Sequence, residues 1–232
     1  MYQNIEIITT VMHSKCGVKA IDSFVYAKEL VHAPITIAEF YESCKDYPIF
    51  FTKDANGIWS AITMLGYKEK ENTFINAQGI WEKNRYIPAF IRRYPFVFAT
   101  QPNTHELALS FDVTCKEDKS TDMGRRFFDD ETKITPFLQG VLNFLTQFQN
   151  DAKATAEFIK QLDDWGLLEA KTANIVTTTG ETVTLEGFYI VNEEKLNHLS
   201  KKKKEELCTK KAIPLITAHL ISLSNIQRLG NR

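Results

Sequence analysis

The stretch from Trp81 to Phe96 gathers the residue types best suited to recognising a ligand. Trp81, Tyr86, Phe90, Tyr94 and Phe96 stand there beside Arg85, Arg92 and Arg93. An arginine fork grips a carboxylate or phosphate through two parallel N–H···O bonds. Aromatic neighbours add stacking and cation–π contacts. This combination suits a small anionic or peptidic ligand, with Trp81, Tyr86, Arg92, Arg93 and Tyr94 as the candidate binding residues. The competing expectation is structural. In it the rings form core and the arginines pair with acidic residues elsewhere in the chain.

Catalytic patterns are missing from the sequence. No GxxxxGK[ST] or GxGxxG loop occurs, so neither a P-loop nor a Rossmann site is expected. No GxSxG elbow presents a serine. His105-Glu106 has no second histidine at metalloprotease spacing, and no HxD or HxE pair occurs. Cys16, Cys44, Cys115 and Cys208 are far apart and form no CxxC pair, which argues against structural zinc. They read as free, mostly buried thiols, with two disulfides left open by the even count. Cys115 beside Lys116 and Cys208 near Lys210 and Lys211 read as ordinary thiols despite those cations. His219 reads as a satisfied, partly buried histidine on the last helix. No catalytic residue, metal or cofactor is expected.

Charge narrows the partners. Lys and Arg number 28 against 29 Asp and Glu, a formal charge of −1. That leaves no large positive field, so nucleic acid is not expected as a partner. The Lys201–Lys204 run reads as a solvated helix face balanced by Glu205 and Glu206. With 44% hydrophobic and 25% charged residues in 232, the composition is that of a soluble globular protein. The N-terminal residues show no secretory signal, and no apolar run approaches the roughly 20 residues of a membrane span. A cytoplasmic location is expected, with signal-independent export left open.

These residues need elements to position them. Ile5, Ile7 and Val11 suggest a first strand. Thr36-Ile37-Ala38-Glu39 has capping-box form and predicts a short helix to about Cys44. Tyr47 to Phe51 and Ile58 to Tyr67, joined by Asp54-Ala55-Asn56-Gly57, predict a hairpin inside a sheet. Phe74-Ile75 begins another short strand. Pro88 suits a helix start and Pro95 disfavours helix at Tyr94, which predicts about two turns over 88–93. Phe96 to Thr100 and Leu107 to Val113 read as strands joined at 101–103.

The polar tract 115–133 reads as a linker, anchored by Phe127 and Phe128. Beyond it, Ile134, Phe137, Leu138, Val141, Leu142, Leu145 and Phe148 follow helical spacing. A second helix carries Phe158, Ile159 and Leu162 and stops at Gly166. Val176 to Val191 reads as a hairpin turning at Thr179-Gly180. Asn192 caps a helix, and Ile213 to Ile226 is mainly helical. The fold class expected is α+β, with a mostly antiparallel sheet from the first half packed against helices of the second. Residues 1–232 are expected to form one domain, with two lobes divided near 115–133 as the alternative.

Several motifs together resemble the bacterial SapC family. In the first half they are Tyr47-Pro48-Ile49-Phe50-Phe51, Trp59-Ser60-Ala61, Leu65-Gly66, Trp81, Tyr86-Ile87-Pro88-Ala89 and Arg92-Arg93-Tyr94-Pro95-Phe96. In the second half they are Phe127-Phe128-Asp129-Asp130, Thr135-Pro136-Phe137-Leu138, Gly187-Phe188-Tyr189-Ile190-Val191 with Lys195-Leu196, and the ending Ala218-His219-Leu220-Ile221-Ser222-Leu223. The resemblance runs from residue 30 to 226. The family is named for a gene associated with surface layers and supplies no catalytic residues to carry over. A peptide-transporter permease of the same name is unrelated.

The resemblance implies a non-enzymatic interaction or accessory protein linked to a surface-layer component, whose mark would be an exposed aromatic patch. The alternative is a module binding a small anionic or peptidic ligand at the RRYPF segment, whose mark would be a concave pocket with convergent polar groups. An enzyme acting on a peptide or surface component ranks last, because no titratable cluster is suggested by spacing.

Overall fold

The structure is a computed structural model that describes residues 1–101, 106–118 and 125–232. The turn expected at 101–103 lies partly outside the described residues, as does the middle of the tract expected as a linker. In chain order the strands are β1 (Ile5–Ile7), β2 (Gly17–Val18), β3 (His32–Ile35), β4 (Ile49–Lys53), β5 (Trp59–Met64), β6 (Phe96–Thr100), β7 (Leu107–Asp112), β8 (Lys116–Glu117), β9 (Leu168–Val176) and β10 (Thr182–Val191). The helices are α1 (Thr10–His13), α2 (Phe40–Asp46), α3 (Ala89–Arg92), α4 (Pro136–Asp164), α5 (Glu193–Asn197), α6 (Lys201–Thr209), α7 (Ala212–Ser222) and α8 (Asn225–Gly230). This is the α+β class that the sequence predicts.

A five-stranded antiparallel sheet runs β3-β5-β4-β10-β9. The β4–β5 hairpin lies inside it, as expected. The Asp54 carboxylate closes its turn by accepting from the Asn56 and Ile58 amides, and Gly57 supplies the positive φ of +80°. Ile49, Phe50 and Phe51 are fully buried because β4 is covered on both faces. Alternation sends Phe50 to one side, stacked on Phe188 at 4.0 Å, and Phe51 to the other, stacked on His219 at 4.5 Å. Pro34 is tolerated in β3 because that strand is a sheet edge.

The first half does not form one sheet. The β6–β7 hairpin joins β1 in a separate three-stranded sheet, while β2 and β8 pair as a two-stranded ladder. Residues 65–95 separate the two hairpins and hold only loop and the short α3, so each hairpin finds its own edge partner. Phe74-Ile75 forms no strand, only a single bridge from Ile75 to Trp81. Val11 lies on α1 and is 90% exposed, so it is not part of β1.

The two helices expected after residue 134 are one. Thr135 caps α4 by accepting from the Leu138 amide, and Pro136 fills the first position. No Gly or Pro interrupts residues 141–164, and the helix continues to Asp164. Gly166, at φ +70°, ends it. The Gly166 amide donates to the Asp163 carbonyl and the Leu167 amide to the Leu162 carbonyl, a Schellman closure. At 29 residues α4 is about 44 Å long. Its early turns pack Leu138 and Leu145 with Phe96, Phe111 and Phe127 against the three-stranded sheet. Its late turns pack Ile159 and Leu162 with Phe51, Trp59 and Ile216 against the five-stranded one.

The last hairpin starts earlier than expected, with β9 from Leu168. All four cysteines are free thiols. Cys16 is buried, Cys44 and Cys115 are half-buried and Cys208 is exposed, so burial is less general than expected.

Candidate functional site

Two carboxylates hold the Arg85–Ala89 segment. Glu39, in the predicted capping box, is 5% exposed and accepts from the Thr36 amide at 2.9 Å and the Thr36 hydroxyl at 3.1 Å. Its other oxygen accepts from the Tyr86 hydroxyl at 2.9 Å and the Ala89 amide at 2.7 Å. Asp46, at the end of α2, accepts from the Tyr86 amide and from Arg85 Nη1, each at 2.8 Å. Arg85 also pairs with Glu82 at 2.9 Å. Bonds to Asp46 and Glu82 raise the Arg85 pKa further, so this arginine is committed to structure.

The next two arginines are held differently. Arg92 donates from Nε to the Ile87 carbonyl at 2.9 Å and from Nη2 to the Tyr86 hydroxyl at 3.2 Å. Its guanidinium lies between the Tyr86 ring at 5.7 Å and the Phe144 ring at 5.6 Å. Arg93 lies 4.2 Å from the Phe90 ring centroid and 5.4 Å from that of Phe148. Its Nε is enclosed without a hydrogen-bond partner among the described residues. Neither arginine forms an ion pair there. Their charge rests on aromatic faces and meets no carboxylate among the described residues.

Tyr94 stacks on Tyr26 at 4.0 Å, and its hydroxyl reaches toward Asp112 at 3.4 Å while the Cys115 thiol donates to it at 3.2 Å. Burial pushes the Tyr94 phenol up, and the Cys115 contact adds to this. Burial, then the Glu39 carboxylate, pushes Tyr86 up to about 12. Both phenols are neutral at physiological pH and serve as donors, not bases. Asp112 stays below the ordinary carboxylate range. Burial pulls it up, but hydrogen bonds from Gln3, Thr114 and Asn4 outweigh that pull.

Arg92, Arg93 and Tyr94 open onto a groove of about 510 Å³. Its floor is one face of α4, made by Pro136, Phe137, Gly140, Val141 and Phe144. One wall is Arg92 to Phe96. The other is Val18 to Ile21 with Arg125, brought alongside by a bond from the Val18 amide to the Arg125 carbonyl. Lys19, Arg92, Arg93 and Arg125 all line it, and no Asp, Glu, His or Cys does so among the described residues. The arrangement offers positive charge, aromatic faces and an apolar floor. Chemically, such a lining suits an anion.

Three of the five candidate residues therefore share the groove. Trp81 does not. It is 4% exposed in the core, parallel to Phe74 and edge-on to Phe24. Tyr86 stands behind the groove, tying Arg92 to Glu39. Sequence reasoning missed Lys19 and Arg125, which are distant in the chain, and read the α4 aromatics only as a helical stripe. The width of that stripe was a signal. Leu138 and Leu145 are buried, while Phe137, Val141 and Phe144 are only half-buried and face the groove.

The fold and groove define an α+β chain with a basic, aromatic-floored cleft between a short helix and a long one. The SapC family model matches residues 8–229, nearly the whole chain, and the protein belongs to the SapC family. Comparisons with curated proteins and with solved structures give no match. No helix among the described residues is long and apolar enough to cross a membrane.

Proposed function

We propose that this SapC-family chain is a non-enzymatic binding protein for a small organic anion, held in the groove between α3 and α4. The observation that carries this reading is that Arg92 and Arg93 face one concavity beside Lys19, form no ion pair among the described residues and meet no carboxylate among its described lining residues. Like charges facing one concavity repel, and an anionic ligand relieves the repulsion. The volume of about 510 Å³ falls in the range of ordinary ligand sites. Arg85 provides the contrast, because it is neutralised by Asp46 and Glu82.

The accessory reading, in which the chain accompanies a surface-layer component, ranks second. It calls for an exposed aromatic patch, and Tyr41 is the one strongly exposed aromatic residue among the described residues.

A thermal-shift screen of carboxylates, phosphates and acidic peptides tests the proposal on wild type, Arg92→Ala and Arg93→Ala. A ligand at a hundred times its Kd stabilises the native state by about 2.7 kcal/mol, or about 5–10 °C for a chain of this size. The expected result is such a rise in wild type that is largely lost in both variants, each of which melts close to wild type without ligand. No rise with any anion, or an equal rise in the variants, overturns the proposal.

A further inference from the structure

We infer that the groove is shaped for an amphiphilic anion, whose acidic head meets the arginines while an apolar body lies across Gly140 of α4. The inference rests on the ligand-binding reading above and narrows its ligand class. Gly140 sits inside a helix, where glycine is the least favourable residue after proline. Neither usual reason for it applies. Its φ is not left-handed, and a Cβ built there would meet no atom within 4 Å.

What the missing side chain does is keep the floor open. Gly140 lines the groove, flanked along the helix by Phe137, Val141 and Phe144. All three are half-buried, so the notch has apolar sides that water covers poorly. A bare inorganic anion would satisfy Arg92 and Arg93 and leave this floor uncovered. A carboxylate or phosphate carrying an alkyl or aryl body would satisfy both. The cations supply orientation and the floor supplies apolar contact.

Isothermal titration tests this with decanoate and decyl phosphate as amphiphiles, acetate and inorganic phosphate as heads alone, and decanol as tail alone. Wild type, Gly140→Leu, Arg92→Ala and Arg93→Ala are compared. The expected result is that at least one amphiphile binds wild type about tenfold or more tighter than its bare head and than decanol. The tighter of the two identifies the head. Gly140→Leu, melting near wild type, should weaken that amphiphile by about tenfold or more, because the leucine occupies the space of the ligand.

Equal affinity for amphiphile and bare head, with both weakened in the arginine variants, overturns this inference and leaves the anion reading standing. Binding of decanol as tight as that of the amphiphiles overturns both, as does binding of no probe at all. The wild-type comparison decides even if the leucine variant does not fold.

Discussion

Glu39 and His219 show two ways a buried titratable residue serves structure. Glu39 accepts four hydrogen bonds and through Tyr86 and Ala89 fixes the segment that ends in Arg92 and Arg93. The capping box was legible in the sequence. The two longer contacts were not, because Tyr86 and Ala89 lie about fifty positions downstream. His219 is fully buried, with Nε2 accepting from the Val191 amide at 3.1 Å and Nδ1 bonded to the Ile49 carbonyl at 3.0 Å. This fixes a neutral ring protonated at Nδ1 and joins α7 to β4 and β10. Ile216 and Leu220 beside it made a satisfied, partly buried histidine legible, and the structure buries it completely.

Burial pushes the His219 pKa down to about 4, while the bond to Ile49 pulls the other way. The unfolded chain takes up this proton near 6.5, before the folded one does. The stability contributed by the neutral ring is therefore complete above about pH 6.5 and is lost as pH falls toward 4, by up to about 3 kcal/mol. Urea unfolding at pH 7 and pH 4.5 should show a clear drop in midpoint for wild type and a smaller one for His219→Gln. An equal drop in both would contradict this assignment.

Among the elements, α4 carries most of the consequence. Its start was legible from Thr135-Pro136 and its stop from Gly166. Its continuity was not, because residues 149–157 are mostly polar and mark no face. Likewise β9 escaped notice because it is an edge strand in which only Ile175 is buried, so it lacks an alternating pattern. The division into two sheets depends on which edges pair, and strand patterns alone do not specify that. The two glycines of the α4 region should respond to alanine with opposite signs. Gly166→Ala forces a side chain into left-handed backbone and should cost about 1–2 kcal/mol, lowering the melting temperature by about 2–8 °C. Gly140→Ala meets no neighbour and should gain about 0.5–1 kcal/mol, raising it by about 1–4 °C. A fall at position 140 would mean that packing explains this glycine.

At the scale of the whole molecule, the formal charge of −1 conceals a local gathering of basic residues. Segments far apart in the chain bring Lys19, Arg92, Arg93 and Arg125 to one groove, and α4 joins that groove to both sheets. The RRYPF segment was legible as a candidate because its charge and aromatics are contiguous. The groove was not, since its opposite wall and floor lie about 70 positions before and 45 after it. Mapping amide NMR shifts during a decanoate titration shows where on the protein the ligand sits. Saturable shifts are expected at residues 18–21, 92–96 and 137–144. Shifts centred elsewhere, or none at saturating decanoate and decyl phosphate, would contradict the binding reading.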